Sequence, residues 1–247
     1  MKPRLLLGLA VAALGASPAL TAAPARKAPA ASTRSAKPGK VPARQDWSKS
    51  VAPTPEGGFR MGNPGAPLKL IEYGSFTCSH CADFAEQSVP VLIRDHVKSG
   101  RVSFEYRMFV RDPYDVTAAL VARCASPARF FGLSHDIFAA HDSWIGRFNR
   151  MSPEQVKTID ALPVAERLTR FASIAGFETM ASKAGVSPAK LKQCLADDKA
   201  LDQLVAMRQL AINKLRLEVT PSFLLNGKMT EAHSLSELQA LLKLPGG

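Results

Sequence analysis

From Pro67 to Tyr73 (PLKLIEY) apolar residues run almost without a break, the pattern of a strand buried on both faces. From about Cys78 the spacing becomes helical and stays so to Lys98 or Ser99, with Gly100 placed as a stop just beyond the end. Pro90 falls inside this stretch and predicts a kink, because proline has no N–H for the helical ladder. Arg101 to Val110 (RVSFEYRMFV) returns to a strand pattern. Strand, helix, strand in this order closes a parallel pair through a right-handed crossover.

Residues from about 113 to 216 then read as helical throughout. Ser152-Pro153 and Ser187-Pro188 are helix starts, with serine as cap and proline in the first turn. Leu201, Leu204, Val205, Ile212 and Leu215 fall on one face of a later helix. Pro221 to Leu225 is again a strand. Asn226-Gly227 marks a two-residue hairpin turn whose positions both need positive φ. Ser234 with Glu237 forms a capping box that opens a final helix to about Leu242. The order is βαβ, a helical block, then ββα. Two such halves on one sheet make a thioredoxin fold, so the expected class is α/β with an all-helical insertion between the halves. No internal repeat interrupts this reading.

The N-terminal part differs in kind. Lys2 and Arg4, the apolar run Leu5 to Leu14, and the small residues Ala19, Ala22 and Ala23 read as a cleaved export signal over about residues 1–23. The run is too short to span a membrane, which takes about 20 residues. Cleavage after Ala19, Ala23 or Ala25 fits equally, and a retained anchor is the competing reading. Residues 24–57 are rich in Pro, Ala, Lys and Ser and read as a solvated linker, with the folded domain at 58–247. The formal charge is +11, yet residues 1–57 hold nine Lys/Arg against two Asp/Glu, while 58–247 hold 23 against 19. The basic excess therefore lies mostly outside the domain, and a nucleic-acid partner loses its main support.

Export changes the meaning of the four cysteines, Cys78, Cys81, Cys124 and Cys194. In an oxidising compartment an even count suggests disulfides. Four cysteines permit three pairings; the adjacency of Cys78 and Cys81 makes Cys78–Cys81 with Cys124–Cys194 the natural choice.

Cys78-Ser79-His80-Cys81 carries the strongest chemical signal. A CxxC alone is weak, but here it follows an apolar strand and opens a helix. The unpaired N–H groups and the dipole of a helix start stabilise a thiolate at Cys78. Cys81, one turn further in, is expected to be more buried and to act as the resolving thiol. His80, as imidazolium or donor, would favour the thiolate further and tip the pair toward an oxidant; the competing reading is an exposed loop histidine. Glu72, six residues before Cys78, is either a buried proton relay to Cys81 or an edge residue facing water. Thr220-Pro221 opens a strand, where proline is tolerated. Phe130, Phe131, Phe138 and Trp144 read as helix-packing core in preference to a peptide groove. Zinc is disfavoured by the missing second CxxC.

The run IEYGSFTCSHCADF, with Glu72, Phe76, Cys78, His80, Cys81 and Phe84, resembles the active-site segment of DsbA-like thiol–disulfide oxidoreductases. VTPSFLLNGK, residues 219–228, resembles that family's cis-proline strand and turn. The likeness covers about residues 62–244. It implies Cys78 as nucleophile, Cys81 as resolving thiol, Glu72 as the buried acid, Pro221 as the cis-proline and Thr220 as the residue whose backbone pairs with bound peptide. It also implies a structural disulfide between Cys124 and Cys194. Two departures bear on redox poise: Ser-His stands where the best-known oxidases have Pro-His, and Thr precedes the proline, as in some isomerase-type relatives.

These readings lead to a periplasmic or otherwise extracytoplasmic oxidase that introduces disulfides into reduced exported proteins. It needs no organic cofactor or metal, since the disulfide carries the electrons. By resemblance, an oxidised membrane partner recharges it, and the mature protein has no stable membrane span. The alternatives are a reductase or isomerase, the latter disfavoured because residues 24–57 are too short for a dimerisation domain, or a binding or chaperone module with a dormant CxxC.

Overall fold

The computed structural model describes residues 45–242. The expected signal peptide and residues 24–44 of the expected linker lie outside them. Six strands form one sheet: β1 (Val51–Pro53), β2 (Phe59–Gly62), β3 (Leu68–Gly74), β4 (Val102–Met108), β5 (Ser222–Leu225) and β6 (Lys228–Met229), in the spatial order β1-β2-β4-β3-β5-β6. β3 and β4 are parallel, from Leu68 opposite Val102 to Gly74 opposite Met108. β5 runs antiparallel to β3, with Tyr73 opposite Ser222. The mixed sheet with a helical block between its halves is the expected α/β arrangement.

Residues 45–57 correct the linker reading. Asp46 caps a short 3-10 turn at Trp47–Lys49, and β1 pairs antiparallel with β2, which pairs in turn with β4. The Thr54 hydroxyl donates to Glu105 Oε1 at 2.7 Å, and Arg107 Nε donates to the same oxygen at 2.6 Å. The charged residues of the wholly buried β4 thus have partners, one of them supplied by the segment expected to be solvated. The Pro- and Lys-rich composition hid β1, which is too brief to show a period.

The first helix is interrupted where Pro90 predicts a kink. It is broken into α1 (Ser79–Gln87), α2 (Val89–Leu92) and a π turn over Ile93–Val97. Pro90 offers no N–H to the Glu86 carbonyl, and the break falls at Ser88 just before it. Lys98 N–H reaches back to Ile93 O at 2.9 Å, and Gly100 follows with φ of +81°. The helical block then runs α3 (Pro113–Cys124), α4 (Pro127–Ala139), α5 (His141–Asn149), α6 (Pro153–Asp160), α7 (Val164–Ala175), α8 (Phe177–Lys183), α9 (Pro188–Leu195) and α10 (Asp198–Asn213). Its starts are the expected ones: Ser152 and Ser187 accept from backbone N–H groups three residues on. The Asn226-Gly227 turn has φ of +51° and +80°. α11 (Leu235–Leu241) opens with the Ser234–Glu237 capping box.

Three packed regions hold these layers. One sheet face carries Leu70, Phe104 and Phe223 against Phe84, Leu92 and Leu238. The other carries Tyr73 and Leu224 against Met207 and Ala211 of α10. The predicted face of α10 is thereby corrected: Leu204, Met207 and Ala211 are buried, whereas Val205 is 40% exposed. The third region joins the block to the sheet. Ala118, Ala119 and Ala122 of α3 let α7 and α9 approach closely, and Phe130, Leu133 and Phe138 of α4 extend the same core to Phe76 and Tyr106. Phe130, Phe138 and Trp144 are core residues, with Phe131 half-buried. A disulfide links Cys124 at the end of α3 to Cys194 in α9, 70 residues apart.

Candidate active site

The carboxyl end of β3, the amino end of β5 and the start of α1 meet at one point. Cys78 caps α1 with an extended backbone, and its carbonyl takes the first helical bond from Ala82 N–H at 3.1 Å. Its sulfur therefore sits at the N-terminal, positive end of α1. Cys81 lies one turn on and is wholly buried, while Cys78 is 5% exposed. Both are free thiols. The Thr220–Pro221 peptide is cis, and it brings Thr220 O to 3.3 Å from Cys78 Sγ, where the thiol donates to it.

The two sulfurs are electrostatically unequal. Hydrogen bonding from the Cys81 thiol pulls Cys78 down to about 5 against partial burial, helped by the Thr220 side chain, the Cys81 N–H and the charge of Arg111. Burial drives Cys81 well above the ordinary thiol range, and its bond to Cys78 and the nearby Glu72 push the same way. His80 is exposed, is not among these largest influences on Cys78, and lines a groove of about 450 Å³ with Asp83, Pro221 and His233.

Glu72 is buried on β3, on the same sheet face as Leu70. The alternative of an edge residue facing water is excluded. Burial, followed by the charge of Cys78, raises its carboxyl to about 8, so at neutral pH it is an acid holding its proton. It lines a cavity of about 540 Å³ that also touches Tyr106, Phe138 and the exposed side chains of Arg94 and Lys98. Gly74 makes room for this arrangement: a Cβ there would sit 2.9 Å from Glu72 Oε1 and 2.6 Å from Tyr106 Cε2.

Sequence reasoning missed Asp115, Arg111 and Ser75. Asp115, in the first turn of α3, is wholly buried and accepts from Ser75 Oγ at 2.6 Å, Phe76 N–H at 2.8 Å and Arg111 N–H at 2.9 Å. Burial raises its carboxyl to about 7 despite the Ser75 bond. Asp112-Pro113 was a readable helix start, but nothing in the pattern shows that the first turn faces the CxxC loop. Among the described residues no three His, Cys, Asp or Glu side chains gather in a metal-binding group.

The thioredoxin family model matches residues 54–244. A protein-disulfide isomerase from Novosphingobium aromaticivorans superposes with a TM-score of 0.69 at 32% identity, over 74% of this chain and 94% of that one. Wolbachia pipientis alpha-DsbA1 shares the fold at 24% identity and a TM-score of 0.55, over 74% and 87% of the two chains. A Rickettsia bellii protein named "Putative protein-disulfide oxidoreductase" is 27% identical over 182 residues, 74% of this chain, and its Rickettsia typhi counterpart is 28% identical over 72%. The matched part spans 62% and 58% of those two relatives. By the family match and the Novosphingobium likeness, the chain belongs to the thioredoxin family.

Proposed function

We propose that this protein is a thiol–disulfide oxidoreductase that introduces disulfides into reduced proteins outside the cytoplasm. The observation that carries this is the inequality of the pair: Cys78 held toward thiolate beside the cis Thr220–Pro221 loop, Cys81 buried and held toward thiol. In the oxidising direction a substrate thiolate attacks Cys78 Sγ and breaks the Cys78–Cys81 bond. The departing Cys81 sulfur takes a proton from Glu72, which recovers one through the cavity that reaches Arg94 and Lys98. A second substrate thiolate then attacks the substrate sulfur of the mixed disulfide. Cys78 leaves readily as a thiolate, because a low pKa makes a good leaving group. The substrate becomes a disulfide and the enzyme a dithiol. Thr220 and Pro221 would hold the substrate as an extended strand. His80 serves as a wall of the neighbouring groove. Recharging falls to an oxidised membrane partner, and the N-terminal 23 residues direct export to the periplasm.

An isomerase is the second reading, favoured by the name of the 32% identical structure. The reduction potential separates the readings. The full chain is equilibrated in glutathione buffers and the redox state of Cys78–Cys81 is read by mass-resolved alkylation. A potential near that of strong oxidants, about −120 mV, is expected; one of about −180 mV makes it an isomerase, and about −270 mV a reductase.

A further inference from the structure

Residues 75–77, between β3 and Cys78, have little secondary structure of their own. Their bonds go to the first turn of the helical insertion. Asp115 takes the Ser75 hydroxyl and the Phe76 N–H, the Asp112 carboxylate accepts from Thr77 Oγ1 at 2.9 Å, and Arg111 Nη2 donates to Thr77 O at 2.9 Å. Asp112 also caps α3 through the N–H groups of Tyr114 and Asp115, and this fixes the Asp115 backbone. Ser75 in turn directs its N–H at Cys81 Sγ, at 3.5 Å. An unbroken chain of contacts therefore runs from α3 to the inner sulfur, and Asp115, with no solvent exposure, is its anchor.

We infer that Asp115 is a positioning residue for the redox pair: its carboxylate fixes the Ser75-Phe76-Thr77 turn and, through it, the N–H that faces Cys81 and the helix start that faces Cys78. This rests on the thiol-exchange reading. The insertion is then part of the redox centre's frame as well as a lid on its core. An Asn at this position keeps the shape and the acceptor for Phe76. It places N–H donors where Arg111 N–H and Ser75 Oγ now donate, and two donors face each other.

The test compares the parent chain with Asp115→Asn, Asp115→Ala and Ser75→Ala. Two quantities are read: the equilibrium constant with glutathione, and the pH dependence of the Cys78 thiolate absorbance. Loosening the turn withdraws stabilisation from the reduced pair. The constant is expected to move at least tenfold toward the disulfide, about 30 mV for a two-electron couple, with the thiolate titration moving to higher pH. Ser75→Ala, which removes only one hydroxyl, gives a smaller change of the same sign and serves if an Asp115 variant does not fold. A residue that merely stabilised the fold would lower the melting temperature and leave both readings in place. Folded variants with both readings within twofold of the parent overturn the assignment. A parent chain that does not exchange with glutathione overturns the exchange reading and this assignment together.

Discussion

Replacing Glu72 by Gln offers a direct measure of what the buried acid costs the fold. The carboxyl is raised from 4.5 to about 8, chiefly by burial and then by the Cys78 charge. The folded protein therefore binds this proton more tightly than the unfolded chain does. Stability from the group is complete below the unfolded value of 4.5 and is lost as pH rises toward 8. A rise of about 3.5 pH units at about 1.4 kcal/mol each amounts to about 5 kcal/mol once the group is ionised. Gln fills the same space and does not ionise. Urea unfolding of the reduced protein should give the variant an advantage that grows by about 4 kcal/mol between about pH 5 and about pH 8.5. In the oxidised protein Cys78 carries no charge, so the growth should be smaller. On the proposed function, in which Glu72 protonates Cys81, the same variant should also slow thiol exchange. A stability difference that does not vary with pH would refute the reasoning, whatever its size.

Two further outcomes follow from the packing. Replacing Cys124 and Cys194 by Ala opens a 70-residue loop and should lower stability by about 4 kcal/mol, while the Cys78–Cys81 potential measured in glutathione stays where it was. Gly74→Ala drives a methyl into Tyr106 and the Glu72 carboxyl and should cost about 1–3 kcal/mol in denaturant melts; a variant as stable as the parent would show that the ring moves freely.

Most of the frame was legible in the sequence, because long apolar runs and caps are local signals. β3, β4, the Asn226-Gly227 turn and the Ser234–Glu237 box stand where the pattern put them. Within the site, Cys78, Cys81 and Pro221 could be read from motifs. Glu72 was ambiguous because alternation alone does not say which face of a strand a helix covers. Asp115 was invisible for a stronger reason: its role depends on contacts 39 and 40 residues away in the chain, made only when α3 packs beside the CxxC loop. The two N-terminal strands were missed because three or four residues cannot establish a period, and their evidence is their pairing, β1 with β2 and β2 with β4.

The ends of the sheet bear on how such a protein survives its own work. A catalyst that receives unfolded chains is continually offered loose strands, and an open sheet margin would recruit them into aggregates. Here both margins are stubs: β1 has three residues and finishes on Pro53, and β6 has two. Neither is long enough to template a guest strand. On the proposed function, an incoming chain would pair instead at the Thr220–Pro221 loop, beside the Cys78 sulfur.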